Sequence, residues 1–269
     1  MQTSLILVAI VADNYHARLT RALGVASSAL NLTAAYSGAA PAGLTFCPLL
    51  NISQCPATET GPDSLTVTLY NPLGRPVTEY VRLPVVAAQY EVVGPGGATL
   101  PAQLVQIPAQ LAALPGRTSP ATHSLVFRAE VGELGLAAYT VRQTGPALHS
   151  PDRPTKQRKL LGGRTGGLQV WLEPGSSRLH LRDPRRGLQQ ELDMELLSYR
   201  AHRGNNSEFQ FRASGAYIFR PDGEAVRLGE PRNTVITEGE LVTEILRTYS
   251  EADWAIQVMK RVISPTQFT

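Results

Sequence analysis

The chain is poor in several things at once. Charged residues make up 17% of its 269 positions and aromatics 6%, with two cysteines, two tryptophans and three lysines (Lys156, Lys159 and Lys260). So few charges beside 43% hydrophobic residues exclude a disordered chain or a coiled coil. Two cysteines cannot complete a four-ligand zinc site, and no histidine lies near them in sequence. No stretch approaches 18 apolar residues, so no helical membrane span is expected. Residues 1–12, MQTSLILVAIVA, are too short to span a bilayer. They also lack the basic start of a signal peptide, although Ala12 suits the end of a short cleavage region. Arginine supplies nearly all the positive charge, but 22 acidic residues leave a net charge of +3. With no basic stripe interleaved with aromatics, a nucleic-acid partner is not expected.

Chemistry-bearing motifs are missing too. The five histidines (His16, His123, His149, His180 and His202) form no H-x-D or H-E-x-x-H pattern. No nucleophile elbow, P-loop or dinucleotide fingerprint is present, and no two carboxylates stand out as an acid/base couple. From its residues alone the chain has no visible active site, and a non-catalytic β-sandwich module is the expectation.

What is present is turn chemistry and alternation. Gly 23 and Pro 20 disfavour a mainly helical protein, and the length exceeds one typical domain. A helix is predicted over 8–36, where Val8, Val11, Tyr15, Leu19, Leu23 and Ala26 recur at three- and four-residue spacing. Alternating runs predict strands at 65–71, 77–85, 90–93, 103–107, 124–131 and 137–143, an antiparallel sandwich. Residues 144–167 combine Pro, Gly and a basic cluster, and read as a linker or an exposed processing loop. Strand patterns resume at 168–173, 177–183, 191–201, 208–213 and 214–223; 237–250 and 254–263 look paired, though 237–250 also passes for a helix. CPLLNISQC (47–55) reads as two free buried thiols or as a short disulfide loop, the latter requiring an oxidising compartment. It carries one of three N-glycosylation sequons, at Asn31, Asn51 and Asn205, which favours the secretory route.

LTFCPLLNISQCPATE (44–59), YNPLGRPVTEYVRLPV (70–85) and SGAYIFRP (214–221), in that order, resemble the lysosomal alpha-mannosidases of glycoside hydrolase family 38. ADNYHARL (12–19) is similar to the helix that follows the catalytic region in that family. The likeness spans roughly 12–143 and 168–262. It implies descent from a retaining exo-glycosidase acting on terminal alpha-linked mannose of glycoprotein oligosaccharides, with a zinc ion and a nucleophile–acid/base carboxyl pair about 5 Å apart. Those groups belong to the family's N-terminal catalytic domain. Residues 1–11 depart from the family's His- and Gly-containing stretch that carries its last zinc ligand, so no catalytic or metal residue is assigned here.

The fold class implied is mainly β: a helical remnant of a middle bundle (1–40), a small β-sandwich (41–143), a linker (144–167) and the truncated opening of a larger, galactose mutarotase-like β-sandwich (168–269). The resemblance also implies a Cys47–Cys55 disulfide, whose loop closure contributes about 2–3 kcal/mol. A further family cysteine is absent from 20–36. Tyr217 of the Gly-Ala-Tyr motif is the expected substrate-binding residue, against the plainer reading of a core tyrosine in a strand. Trp171 and Trp254 are sugar-stacking candidates, with strand-core packing the plainer reading.

The leading expectation is a non-catalytic, β-rich region of an alpha-mannosidase, inactive alone, lysosomal or secretory, a homo-oligomer being conceivable for a full-length protein. Its partner is a mannose oligosaccharide held by a catalytic domain elsewhere. The alternatives are a secreted carbohydrate-binding or adhesive β-sandwich protein and an enzyme with an unrecognised site. Exposed apolar surface is expected where faces lack their partners.

Overall fold

The computed structural model describes residues 2–37, 43–59, 63–146, 159–160, 169–173, 176–205, 207–250 and 253–260. The chain opens with one long helix, α1 (Gln2–Ser37). Nothing in it breaks a helix, and its small polar residues bond back into it: Ser28 Oγ donates to the Gly24 carbonyl (3.0 Å) and Thr33 Oγ1 to Ala29 (2.9 Å). Gly38 and Pro41 follow it in sequence. The helix runs longer than the periodicity marks, and its apolar stripe has little to pack on: Tyr15, Leu19 and Leu23 are exposed, as are Val25, Leu32 and Tyr36.

After α1 comes the disulfide-closed loop, Cys47 to Cys55, with Cα atoms 5.1 Å apart. The short helix α2 (Pro56–Glu59) adjoins it, and the buried Glu59 carboxylate accepts the Cys55 amide (2.7 Å). Then follow β1 (Ser64–Tyr70), β2 (Val77–Val85), β3 (Ala88–Val93), β4 (Thr99–Leu100), β5 (Ala102–Gln106), the short helix α3 (Ala109–Ala112), β6 (His123–Val131) and β7 (Leu136–Pro146). They form two antiparallel sheets, β1-β7-β3-β4 and β2-β6-β5. Alternation sends Leu83, Val85, Val92, Leu125, Phe127, Tyr139 and Val141 into one shared core. Asn71 fixes the β1–β2 turn. Its amide nitrogen donates to the Arg75 and Gly132 carbonyls (both 2.8 Å), and its oxygen accepts the Leu73 amide (3.0 Å).

The second half contributes β8 (Lys159–Leu160), β9 (Gln169–Leu172), β10 (Arg178–Asp183), β11 (Leu188–Asp193), β12 (Leu197–Ser198), β13 (Val226–Arg227), β14 (Asn233–Glu238), β15 (Val242–Thr248) and β16 (Trp254–Lys260). The sheets are β11-β10-β9-β8, β12-β13 and β14-β15-β16. β8 falls inside the segment expected to be a linker and pairs with β9; the basic cluster expected beside it lies otherwise outside the described residues.

β15 is buried on both faces, and its alternation explains the stacking. Val242 joins Val105, Val126 and Leu241 against the small sandwich, where Glu244 also meets Arg82 (2.5 Å) and Thr248 meets Gln110 (3.3 Å). Ile245 points the other way and packs with Ile236 against Val170, Leu172 and Leu179 of the β8–β11 sheet. The β14–β16 sheet is thus a middle layer. Gln103 of β5 fastens it: its side-chain oxygen accepts the Leu241 and Val242 amides (both 2.9 Å), and its nitrogen donates to the Val242 carbonyl (3.1 Å).

Two sequence expectations change. Residues 208–213 are not a strand but contain a 3-10 turn at Phe209–Phe211, because Phe209 and Phe211 both stay exposed rather than alternating onto a core. Residues 214–221 form no strand either, apart from an isolated bridge of Pro221 to Ala201. Their polar groups bond locally instead.

Candidate functional site

Between β11 and β14 the chain makes an excursion, 194–232, that carries SGAYIFRP. Ser214 closes this loop: its hydroxyl donates to the Arg220 carbonyl (2.6 Å) and accepts the Arg220 amide (2.8 Å), while its amide donates to His202 (3.0 Å). His202 in turn donates its amide to the Arg220 carbonyl (2.9 Å), and Gly215 donates to Ile218 (2.9 Å). These bonds tie the 214–220 backbone to itself and to His202, while Tyr217, Ile218 and Phe219 stay exposed; Tyr217 is 74% exposed. Gly204 permits the neighbouring chain to close in. Its φ is +56°, and a Cβ there would overlap the Ala213 backbone.

Around the loop lies an exposed aromatic group. Phe219 meets Tyr199 edge to face (5.7 Å, 78°), and the Arg212 guanidinium sits 4.5 Å over the Phe209 ring. Tyr217 reaches α1, where its phenol shares a hydrogen bond with Tyr15. That bond, with some desolvation, holds the Tyr217 proton above the ordinary phenol range, although Arg18 nearby opposes the shift. Sequence reading singled out Tyr217 but not Tyr15, because 202 residues separate them and neither carries a pairing signal. Exposure of Tyr217 replaces the plainer expectation of a core tyrosine in a strand.

The other singled-out residues lie elsewhere. Asn51 is exposed on the 3-10 turn Leu50–Ile52 inside the disulfide loop. Arg117 anchors that loop by donating to the Ile52 (3.0 Å) and Ser53 (3.2 Å) carbonyls. Asn31 is half-buried on α1, where its side-chain oxygen accepts the Leu44 amide (2.7 Å). Asn205 is exposed in a turn, accepting the Ser207 amide (3.1 Å) and donating to Glu208 (3.2 Å). Trp254 is half-buried on β16 opposite Thr248.

Trp171 stacks flat on His180, centroids 5.3 Å apart. This pair occupies the face of the β9–β10 ladder opposite the Val170–Leu179 core, and His180 lies between Glu173 (3.1 Å) and Glu191 (3.3 Å). The alternation in LQVWLE and SRLHLRD places Trp171 and His180 on one side, so this cluster had a sequence signal that went unread.

Among the described residues, no group of three or more His, Cys, Asp or Glu side chains is arranged to hold a metal ion. Two of the described histidines are engaged otherwise: His202 Nδ1 accepts the Gly204 amide (2.9 Å), and His123 Nδ1 bonds the Thr122 hydroxyl (2.9 Å). The zinc that the family resemblance implies finds no ligand set among the described residues. Nor is any helix among the described residues long and apolar enough to cross a membrane.

No protein-family model matches the chain. Among curated proteins it is similar to lysosomal alpha-mannosidase of Felis catus, 30% identical over 258 residues, covering 93% of this chain and 24% of that one. Against lysosomal alpha-mannosidase of Bos taurus the identity is 31% over 253 residues, covering 93% and 23%. Against the alpha-mannosidase of Canavalia ensiformis it is 30% over 257 residues, covering 88% and 26%. The chain therefore spans about a quarter of the length of the relatives it matches. Among solved structures, an alpha-mannosidase from Enterococcus faecalis V583 matches at 17% identity and a TM-score of 0.34, covering 71% of this chain and 24% of that one. A superposition that loose carries no further weight.

Proposed function

We propose, from the premise that this chain is a homologue of the alpha-mannosidases over nearly its whole length and about a quarter of theirs, that it is a non-catalytic, β-rich region of such an enzyme. The parent activity on this reading is retaining hydrolysis of terminal alpha-D-mannose from glycoprotein oligosaccharides. Residues 1–40 would be part of a helical bundle, 41–143 a small sandwich, 144–167 a connection and 168–269 the opening of a larger sandwich. The work of this region is to present Tyr217 to a sugar bound in a catalytic domain beside it. The observation that carries this reading is the outward turn of Tyr217 on a loop closed by Ser214 and Arg220, within the SGAYIFRP stretch that resembles the family. A phenol suits that task, offering an apolar face and one hydrogen bond to a hydroxyl. The disulfide and the exposed Asn51 sequon suit a lysosomal or secreted protein.

The test is an assay of the purified chain on p-nitrophenyl alpha-mannoside with zinc present. No turnover is expected; zinc-dependent turnover would overturn the assignment. A second reading, a carbohydrate-binding module that works without a catalytic domain, is favoured by the exposed aromatics Tyr199, Phe209 and Phe219. Binding of a mannose oligosaccharide by the chain alone, weakened by Phe219→Ala as well as by Tyr217→Phe, would select that reading.

A further inference from the structure

Tyr217 does not stand alone on its surface. Tyr15, its partner on α1, is 47% exposed, and Arg18 follows one helical turn later on the same side of the helix. A loop and a helix far apart in sequence thus bring two phenols and a guanidinium together, and all three side chains stay open to solvent. The bond between the phenols has a direction. It holds the Tyr217 proton, so Tyr217 donates and the Tyr15 oxygen accepts.

That direction leaves a definite remainder. A phenol has one O–H to give and lone pairs to receive with. Tyr217 has committed its proton and keeps an acceptor oxygen, while Tyr15 keeps its own O–H as a donor. Arg18 adds guanidinium donors and no acceptor. The oxygens of a hydrogen-bonded phenol pair stand about 2.7–2.8 Å apart, close to the separation of gauche hydroxyl oxygens on neighbouring sugar carbons. One hydroxyl of such a diol can donate to Tyr217 while the next accepts from Tyr15, with Arg18 beside them to donate to either. A single isolated hydroxyl would use only half of this pair.

We propose that Tyr15 and Tyr217 together form a site for a vicinal diol, one phenol donating and the other accepting, so that Tyr15 is a second sugar-binding residue of this chain. The site rests on the reading that Tyr217 meets a sugar, and names what on that sugar is recognised. Methyl alpha-mannoside is the probe, titrated into the whole chain with 13C-labelled tyrosine rings; Tyr15→Phe and Tyr217→Phe assign the two resonances. Both rings should move along one saturation curve. Tyr15→Phe, which keeps the ring, should raise Kd about three- to tenfold, Tyr217→Phe by as much, and the double variant by little more than either. The fully O-methylated glycoside, which has no hydroxyl proton to give, should move neither ring. A response of Tyr217 with Tyr15 silent, or a Tyr15→Phe chain that binds as the parent does, overturns the proposal and leaves the Tyr217 contact standing. Silence of both rings overturns the two together. Inorganic phosphate moving both rings as strongly as the glycoside would make this an anion site and overturn the diol assignment.

Discussion

Replacing Gln103 by alanine should release the middle sheet from the small sandwich. The side chain satisfies three backbone groups of Leu241 and Val242, residues with no exposed surface. A buried backbone group left without a partner costs about 1–3 kcal/mol, and a water admitted to the vacated space recovers part of that. A loss of about 3–5 kcal/mol is therefore expected, a large share of the stability of an ordinary domain. Gly239 supplies the control. A Cβ there would fall inside the van der Waals radius of the Gln103 carboxamide, while its backbone avoids the left-handed region, so Gly239→Ala harms the fold only by expelling Gln103. The two changes should then be strongly non-additive, the double variant costing little more than Gln103→Ala alone. Both tryptophans, Trp171 and Trp254, lie in the second half of the chain. Urea unfolding followed by tryptophan fluorescence reads that half, and far-ultraviolet circular dichroism reads both. Gln103→Ala should move the fluorescence midpoint to lower urea and separate the two curves. A loss below about 1 kcal/mol, or additive effects of the two substitutions, would refute the reasoning.

Arg117→Ala removes the guanidinium that also donates to the Ser119 (3.1 Å) and Ala121 (2.8 Å) carbonyls, and should cost about 2–3 kcal/mol in urea unfolding while the disulfide stays intact. Arg117→Lys, unable to span the same carbonyls, should recover little of it. Reducing the Cys47–Cys55 bridge returns a short loop's worth of chain entropy to the unfolded state, about 2–3 kcal/mol, and should lower Tm by roughly 5–10 °C in dithiothreitol. The Tyr217 phenol is raised above the ordinary value by its bond to Tyr15, so that bond favours the neutral form. The stabilisation it gives is present below the ordinary phenol pKa and is lost as pH climbs through the raised one. Tyr15→Phe should bring the Tyr217 absorbance transition at 295 nm down in pH, and an unmoved transition would show the pair absent in solution.

How far the sequence led differs by element, for physical reasons. In the small sandwich LTVTLY and VTEYVRLPV carry an alternating inward set, and SLVFRAEV keeps one through Leu125, Phe127 and Ala129 although Val126 is buried on its other face, so the three positions hold to within about two residues. VTEILRT is different. Packed on both faces, it carries Val242 and Glu244 toward one neighbour and Ile245 and Arg247 toward another, so no polar side marks it as a strand. That is why a helix remained open there, and why its partner β14 passed unnoticed. The disulfide came from a resemblance, because spacing alone left free thiols equally admissible.

SGAYIFRP misled in a more informative way. Tyr217, Ile218 and Phe219 are a run of residues with high strand preference, yet they sit in a loop. Their preference is overridden where the Ser214 hydroxyl takes up both backbone polar groups of Arg220 and the Gly215 amide bonds Ile218, local partners in place of a neighbouring strand. Exposing three large apolar side chains on so closely bonded a loop costs apolar burial that a strand on the same sheet would have gained, at about 25 cal/mol per Å². A loop that forgoes that gain yet is held by its own hydrogen bonds is better explained by a surface it meets than by its own stability. Ser214→Ala separates the two. If the loop serves the fold, the change should lower Tm; if it serves presentation, Tm should hold while proteolysis between 214 and 220 quickens.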